Sequence, residues 1–417
     1  MNINVSVQTI EEAAKRLEKV AKLTPLQFNK RLSELYQAKV YFKREDLQEV
    51  RSYKIRGAYN LMSSLSEEDK RKGVVCASAG NHAQGVAYSA HALKVKARIF
   101  MPAISPLQKI KRVKQFGQEW VEVELVGQTF DESYQAAMKY CTENGMEFVH
   151  PFNDERTISG QGTVGKEILE QLEDNEPDYV LCPIGGGGLV SGVGTYIKSK
   201  FPNAKIIGVE PKGAPTMYEA IKQKKVITLD TIDPFVDGAA VKTAGQKTYE
   251  LASKIVEKVL ISDEGKVCTT MIDLYQNEGI VAEPAGALSI STIDELAKEI
   301  KGKTVVCILS GGNNDILRYP EIMEKSLVYQ GLKHYFLIEF AQKPGQLKHF
   351  LNRVLGPTDD IALFEYIKKT SKERGPALIG IELQNKEDLQ PLLDRMKAAE
   401  IRYTKISSDD PLYSFVL

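Results

Sequence analysis

Between about residue 40 and residue 315 the chain repeats one pattern: a short apolar run, a small or turn-forming residue, then a helical periodicity. The runs are GVVCASAG (73–80), ARIFMP (97–102), WVEVELVG (120–127), EFVHPF (147–152), YVLCPIGGGG (179–188), AKIIGVEP (204–211) and TVVCILSGGN (304–313). Short runs this apolar read as strands buried on both faces, and their alternation with helices predicts parallel sheets covered by helices. In such α/β folds ligands gather at the carboxyl ends of the strands. The chain's unusual residues lie at those ends.

The pattern changes after about residue 325. LKHYFLIEF (332–340) reads as a strand, and Leu347, Phe350, Leu351, Val354 and Leu355 then share one helical face. IALFEYI (361–367) and ALIGIEL (377–383) read as two strands, Leu389, Leu392, Leu393 and Met396 as a second helix, and IRYTKI (401–406) as a last strand. The order βαββαβ predicts a ferredoxin-like α+β unit. The expected division is therefore 1–325 and 326–417, with a smaller lobe at roughly 55–150 inside the first, and a join within YPEIMEKSLVYQG. At the other end, Ile10, Ala14, Leu17 and Ala21 predict an amphipathic N-terminal helix.

Bulk properties narrow the function. With 55 acidic and 55 basic side chains, the 417 residues lack the basic excess that a nucleic-acid binder carries. No run of 18 or more apolar residues occurs, so no membrane span or membrane partner is expected. The five cysteines, Cys76, Cys141, Cys182, Cys268 and Cys307, are scattered and never in CxxC spacing. That argues against a disulfide framework or structural zinc and suits a reducing cytoplasm.

Four stretches carry chemistry. In VRSYKIRGAYN (50–60), Lys54 stands where the chain turns helical; taken alone, a solvated helix-start lysine is the favoured reading, and the rest of the chain has to overturn it. PIGGGGLVSG (183–192) sets Gly185, Gly186, Gly187, Gly188 and Leu189 between a strand and a helix. Side-chain-free backbone there can wrap a phosphate, with the helix N-terminus adding partial positive charge. No Walker lysine or GxGxxG register accompanies it, so the phosphate need not be a nucleotide's. SAGNHAQG (78–85) again closes a strand and opens a helix. It reads either as an ordinary cap or as a loop whose free N–H groups hold a carboxylate. LSGGNND (309–315) places Ser310 at the end of a buried strand, where a plain turn is the alternative. One cofactor unites the four. Pyridoxal 5′-phosphate needs a lysine for its Schiff base, a phosphate cup and a partner for its ring nitrogen.

These stretches, with EPAGA (283–287), resemble in order the motifs of the threonine/serine dehydratases, a family of the tryptophan-synthase-β-like (fold type II) pyridoxal-phosphate enzymes. The resemblance runs to about residue 320. A single ACT-like unit after it is similar to the short-form biosynthetic threonine dehydratase branch. The resemblance implies a two-lobed catalytic domain and α,β-elimination of L-threonine, with L-serine as an alternative substrate. Lys54 would carry the cofactor and act as base, and Tyr53 would lie beside its ring. Asn81 would contact the ring hydroxyl, Gly185–Leu189 would hold the phosphate, and Ser310 would face the pyridine nitrogen. Gly238 and Glu283 would neighbour the ring. Ser78, Ala79, Gly80, Asn81 and His82 would receive the substrate carboxylate. Allosteric isoleucine at the C-terminal unit, a place as first step of isoleucine biosynthesis and a homotetramer are implied too. Serine racemases of this class have a serine where Ala79 stands and bind a divalent cation near GVEP. Here Glu210 is kept but Thr216 replaces a second carboxylate, so no metal is expected. A catabolic threonine/serine dehydratase and an inactive amino-acid sensor are the competing readings.

Overall fold

The computed structural model describes residues 3–173, 175–366, 373–407, 410 and 412–413. Two compact units divide between Asn314 and Asp315, ahead of the expected 325/326 boundary, and Gly265–Asp273 groups with the second unit. The stretch YPEIMEKSLVYQG, the expected place of the join, begins with the helix Tyr319–Tyr329.

Among the described residues, ten strands belong to the first unit: β1 (Leu26–Phe28), β2 (Lys39–Arg44), β3 (Val74–Ala77), β4 (Ala97–Met101), β5 (Val121–Leu125), β6 (Glu147–Phe148), β7 (Tyr179–Pro183), β8 (Lys205–Pro211), β9 (Val256–Ser262) and β10 (Thr304–Leu309). The larger lobe is a six-stranded sheet in the order β1-β2-β10-β7-β8-β9, parallel throughout except for the antiparallel β1–β2 pair. The smaller lobe is an all-parallel sheet in the order β5-β4-β3-β6. All seven expected runs are strands. Every residue of β3, β7 and β10 is buried, as strands covered on both faces require. All five cysteines are buried and unbridged.

The N-terminal helix is shorter than its periodicity suggests. It spans Val7–Leu17 and buries Ile10, Ala13 and Leu17, so Ala21 lies beyond its end and Ala14 beside its buried face.

The second unit adds β11 (Lys333–Ala341), β12 (Asp360–Tyr366), β13 (Arg374–Glu382) and β14 (Arg402–Ile406), with helices Gln346–Arg353 and Leu389–Ala398 between them. Its antiparallel sheet runs β12-β13-β11-β14, the ferredoxin-like order. Ile367, the end of one expected strand, lies outside the described residues. The apolar face of Gln346–Arg353 is narrower than expected: Phe350 and Val354 are buried, while Leu347 and Leu351 are exposed.

The helix Lys54–Ser63 is tied to the larger lobe through Arg56, which is 1% exposed. Its guanidinium donates twice to Glu45 at 2.8 Å, and to Glu167 at 2.6 and 2.9 Å. Lys43 Nζ, equally buried, donates to Glu167 at 2.6 Å and to the Thr24 carbonyl at 2.7 Å. Two cations and two anions thus cancel. Burial alone would push the Glu45 carboxyl up, but Arg56 holds it below the usual carboxylate range. A carboxyl depressed in this way stabilises the fold above its unfolded pKa. That contribution fades as pH falls through the folded value. Removing one partner leaves buried charge uncompensated, so Arg56→Ala should cost about 3–5 kcal/mol and make acid unfolding begin at higher pH. Urea and acid titrations followed at the chain's single tryptophan, Trp120, measure both effects.

Candidate functional site

The stretches at the strand ends converge on the loop that follows β10. Tyr53 N–H donates to the Ser310 carbonyl at 3.1 Å and Gly312 N–H to the Arg51 carbonyl at 2.9 Å. Ser52 bridges Gly311 in antiparallel register. From the other side, Glu283 N–H donates to the Gly311 carbonyl at 3.2 Å. Backbone bonds alone therefore bring Tyr53–Lys54, Glu283 and Ser310 together.

Lys54 is the first residue of its helix. Its Nζ donates to the Pro151 carbonyl at 3.1 Å and lies 5.3 Å from the centroid of the Tyr53 ring. Desolvation lowers its pKa to about 8, with Glu283 pulling the other way. At neutral pH more of the amine is unprotonated than in an ordinary lysine, which helps a Schiff-base lysine. Burial also pushes the Tyr53 phenol up, so it stays neutral.

Pro151 leads directly to Phe152, whose ring lies against the glycine loop. A Cβ on Gly186 would fall inside that ring, which is why this position takes no side chain. Gly187, with φ +88°, turns the loop into the helix Gly188–Lys200. Thr248 Oγ1 fastens the loop by donating to the Gly186 carbonyl at 2.6 Å. Among the described residues, the N–H groups of Gly185, Gly186, Gly187, Gly188 and Leu189 have no hydrogen-bond acceptor, although Gly186–Leu189 are buried. Buried amides without partners are rare, and four in succession at a helix N-terminus, with Gly185 beside them, fit a bound phosphate. With Lys54 reached through Pro151–Phe152, the residues present fit pyridoxal phosphate.

Asn81 starts the helix Asn81–Leu93. Its Nδ2 donates to Glu283 Oε1 at 2.6 Å, and its Oδ1 accepts from Asn313 Nδ2 at 2.7 Å. Gly238 joins this group: a Cβ there would meet the Ala285 Cβ at 2.8 Å and Glu283 Oε1 at 3.9 Å. Burial, and secondarily Asp237, raise the Glu283 carboxyl to about 7. Ser310 Oγ donates to the Ala285 carbonyl at 3.2 Å and is 2% exposed.

The loop Ser78–Gly80 is half-buried, and two of its amides are already used: Ser78 N–H donates to the Phe100 carbonyl at 3.0 Å and Gly80 N–H to Ser78 Oγ at 3.2 Å, so the Ser78 amide is not free for a substrate carboxylate. The Ala79, Asn81 and His82 amides take no acceptor among the described residues. The His82 ring faces inward instead, with Nε2 2.7 Å from the Val149 carbonyl, and burial lowers its pKa to about 3. Only the backbone of His82 therefore belongs to this loop. Glu210 is also committed elsewhere. Its two oxygens accept from the Met217 and Tyr218 amides at 2.8 Å, capping the helix Thr216–Gln223.

Sequence reasoning missed Asn313, Phe152 and Thr248. Asn313 lay inside a motif already singled out. Phe152 and Thr248 left no signal, because each acts on the glycine loop from a distant segment.

Residues 17–311 match the family described as pyridoxal-phosphate dependent enzyme, and residues 324–416 match the C-terminal regulatory domain of threonine dehydratase. A biosynthetic L-threonine dehydratase from Halalkalibacterium halodurans is 54% identical over 413 residues, 99% of each chain. Among solved structures, threonine deaminase isoform 2 of Solanum lycopersicum superposes with a TM-score of 0.73 at 37% identity, covering 76% of this chain and 92% of that one. Maize serine racemase gives 0.72 at 31% identity, covering 78% and 98%. The chain therefore belongs to the pyridoxal-phosphate dependent enzymes, in the branch of biosynthetic threonine dehydratases that carries a C-terminal regulatory domain.

Proposed function

We propose that this enzyme converts L-threonine to 2-oxobutanoate and ammonia, with Lys54 as its base. The observation that carries this reading is the desolvated Lys54, which has no carboxylate hydrogen-bonded to it in the way Lys43 has, joined through Pro151–Phe152 to five loop amides without acceptors among the described residues. Bound pyridoxal phosphate supplies the aldehyde that condenses with the substrate amine and a ring that accepts the electron pair left at Cα. The Gly185–Leu189 amides hold its phosphate. The Ala79, Asn81 and His82 amides orient the substrate carboxylate. Lys54 Nζ removes the Cα proton; its pKa of about 8 balances basicity against the fraction left unprotonated at neutral pH. The β-hydroxyl leaves as water, and one water re-enters when the remaining imine is hydrolysed. Ala79 offers no proton on the opposite face, which favours elimination over racemisation.

Ser310 would offer the ring nitrogen only a neutral hydroxyl, already donating to the Ala285 carbonyl, and so could not hold that nitrogen protonated as a carboxylate would. With Ser310 in that role the cofactor would be a weaker electron sink, which would favour elimination over racemisation or transamination. Glu210 serves the fold rather than a cation.

The C-terminal unit is proposed to sense isoleucine, which places this reaction first in isoleucine synthesis. To inhibit, the ligand must bind one catalytic state better than another. A homotetramer in the cytoplasm is the assembly proposed here. No helix among the described residues is long and apolar enough to cross a membrane, which agrees with that location.

Purified enzyme should release 2-oxobutanoate from threonine, Lys54→Ala should abolish release, and isoleucine should lower it. Turnover indifferent to isoleucine would reassign the C-terminal unit. No turnover by cofactor-loaded wild type would sink the dehydratase reading. Ser310→Asp should raise racemised and transaminated products relative to 2-oxobutanoate; an unchanged product ratio measured by chromatography would count against the role given to Ser310.

A further inference from the structure

We infer that Asn313 is a positioning residue: it fixes the amide of Asn81 in one orientation, so that Asn81 presents Glu283 with a hydrogen-bond donor and never an acceptor. The argument needs only the chemistry of the groups at each end. The Val50 carbonyl can only accept, and it lies 2.7 Å from one end of the Asn313 amide, so that end is the NH2. The Arg112 guanidinium can only donate, and it lies 3.3 Å from the other end, so that end is the oxygen. Both hydrogens of the Asn313 NH2 are then committed, one to Val50 and one to Asn81 at 2.7 Å. The atom of Asn81 that receives the second must be its oxygen. Its NH2 is thereby turned to Glu283 Oε1, 2.6 Å away.

The four residues form a chain polarised in one direction, from Arg112 through Asn313 and Asn81 to Glu283. Its last member is buried, and a carboxyl there has two ways to satisfy Asn81. Ionised, it accepts from the NH2. Protonated, it would prefer to donate to an amide oxygen, which Asn313 has already taken. The chain therefore works against the burial that raises Glu283 to about 7. Other charges face the same carboxyl: Asp237 raises it, Lys109 lowers it, and Lys54 and Tyr53 border it from the helix start. Arg51 adds to the field around Arg112. None of these sets the direction of an amide; Asn313 does. The inference rests on the placement of Asn81 and Glu283 in the site proposed above.

The test is a pH titration of the holoenzyme by infrared spectroscopy. It follows the carbonyl stretch of the protonated Glu283 carboxyl, with Glu283→Gln as the blank. The readout needs no turnover, so it stands apart from whether threonine is the substrate. The wild-type midpoint should fall near the raised value. In Asn313→Ala the Asn81 amide is free to turn, and the midpoint should rise by about one pH unit, the loss of one hydrogen bond to a charged group. Asn313→Asp keeps the shape but offers Asn81 an acceptor, which turns its oxygen to Glu283; that midpoint should rise further. Arg112→Met leaves Val50 to orient Asn313, so its shift should be well under that of Asn313→Ala. The acid limb of kcat/KM should move with the infrared midpoint. Midpoints unchanged in both Asn313 variants, or an Arg112→Met shift as large as that of Asn313→Ala, would overturn the inference. The first would make Asn313 merely structural, and the second would make the effect one of charge alone.

Discussion

The fork of Arg56 between Glu45 and Glu167 fixes where the Lys54 helix begins. A guanidinium offers five donors in a rigid plane, and here Glu45 and Glu167 both accept from it. Lysine could supply the charge but not the bidentate geometry. Lys54 lies two residues away on the same helix, so any roll of that helix to follow Arg56 would carry the amine off the Pro151 carbonyl. Buried ion pairs are often no better than apolar packing for stability. What this one supplies is a fixed angle, and the Schiff-base role proposed for Lys54 would depend on that more than on stability.

Desolvation then does a second job in the same region. It lowers Lys54 to about 8, His82 to about 3 and His150 to about 4, and raises Glu283 to about 7. Neutral forms are thus favoured around a pocket meant for an anionic cofactor and a zwitterionic substrate. The His150 ring shows how such neutrality is used: its Nδ1 accepts the Phe152 and Asn153 amides at 3.2 and 2.9 Å and so shapes the turn that presses Phe152 onto the glycine loop. A protonated ring could not accept those bonds.

Much of the fold was legible because buried parallel strands advertise themselves as apolar runs. The strands that escaped did so for physical reasons. In β2, the buried Lys43 and the neighbouring Arg44 break the run, since the charge that makes Lys43 look exposed is neutralised by Glu167, 124 residues further on. β1 has only three residues, and the edge strand β9 is half-buried. The site divides along the same line. Lys54, the glycine loop and Ser310 are marked by local backbone needs. Asn313 and Asp237 matter through partners 232 and 128 residues away in sequence, Asn81 and Lys109, a distance that local pattern does not span.

The buried cysteines bear on the chemistry as well as on the compartment. Cys182 and Cys307 sit in the two strands that lead to the glycine loop and to Ser310, within a few residues of where an aldehyde would bind. Thiolates add to aldehydes readily and would compete with an amine. Burial pushes the Cys307 thiol up to about 12 and Cys182 higher still, so neither supplies a thiolate at physiological pH. These two thiols therefore would not rival Lys54, the amine proposed to hold the cofactor, and the fidelity of such a site toward one amine would come partly from sulfur atoms that take no part.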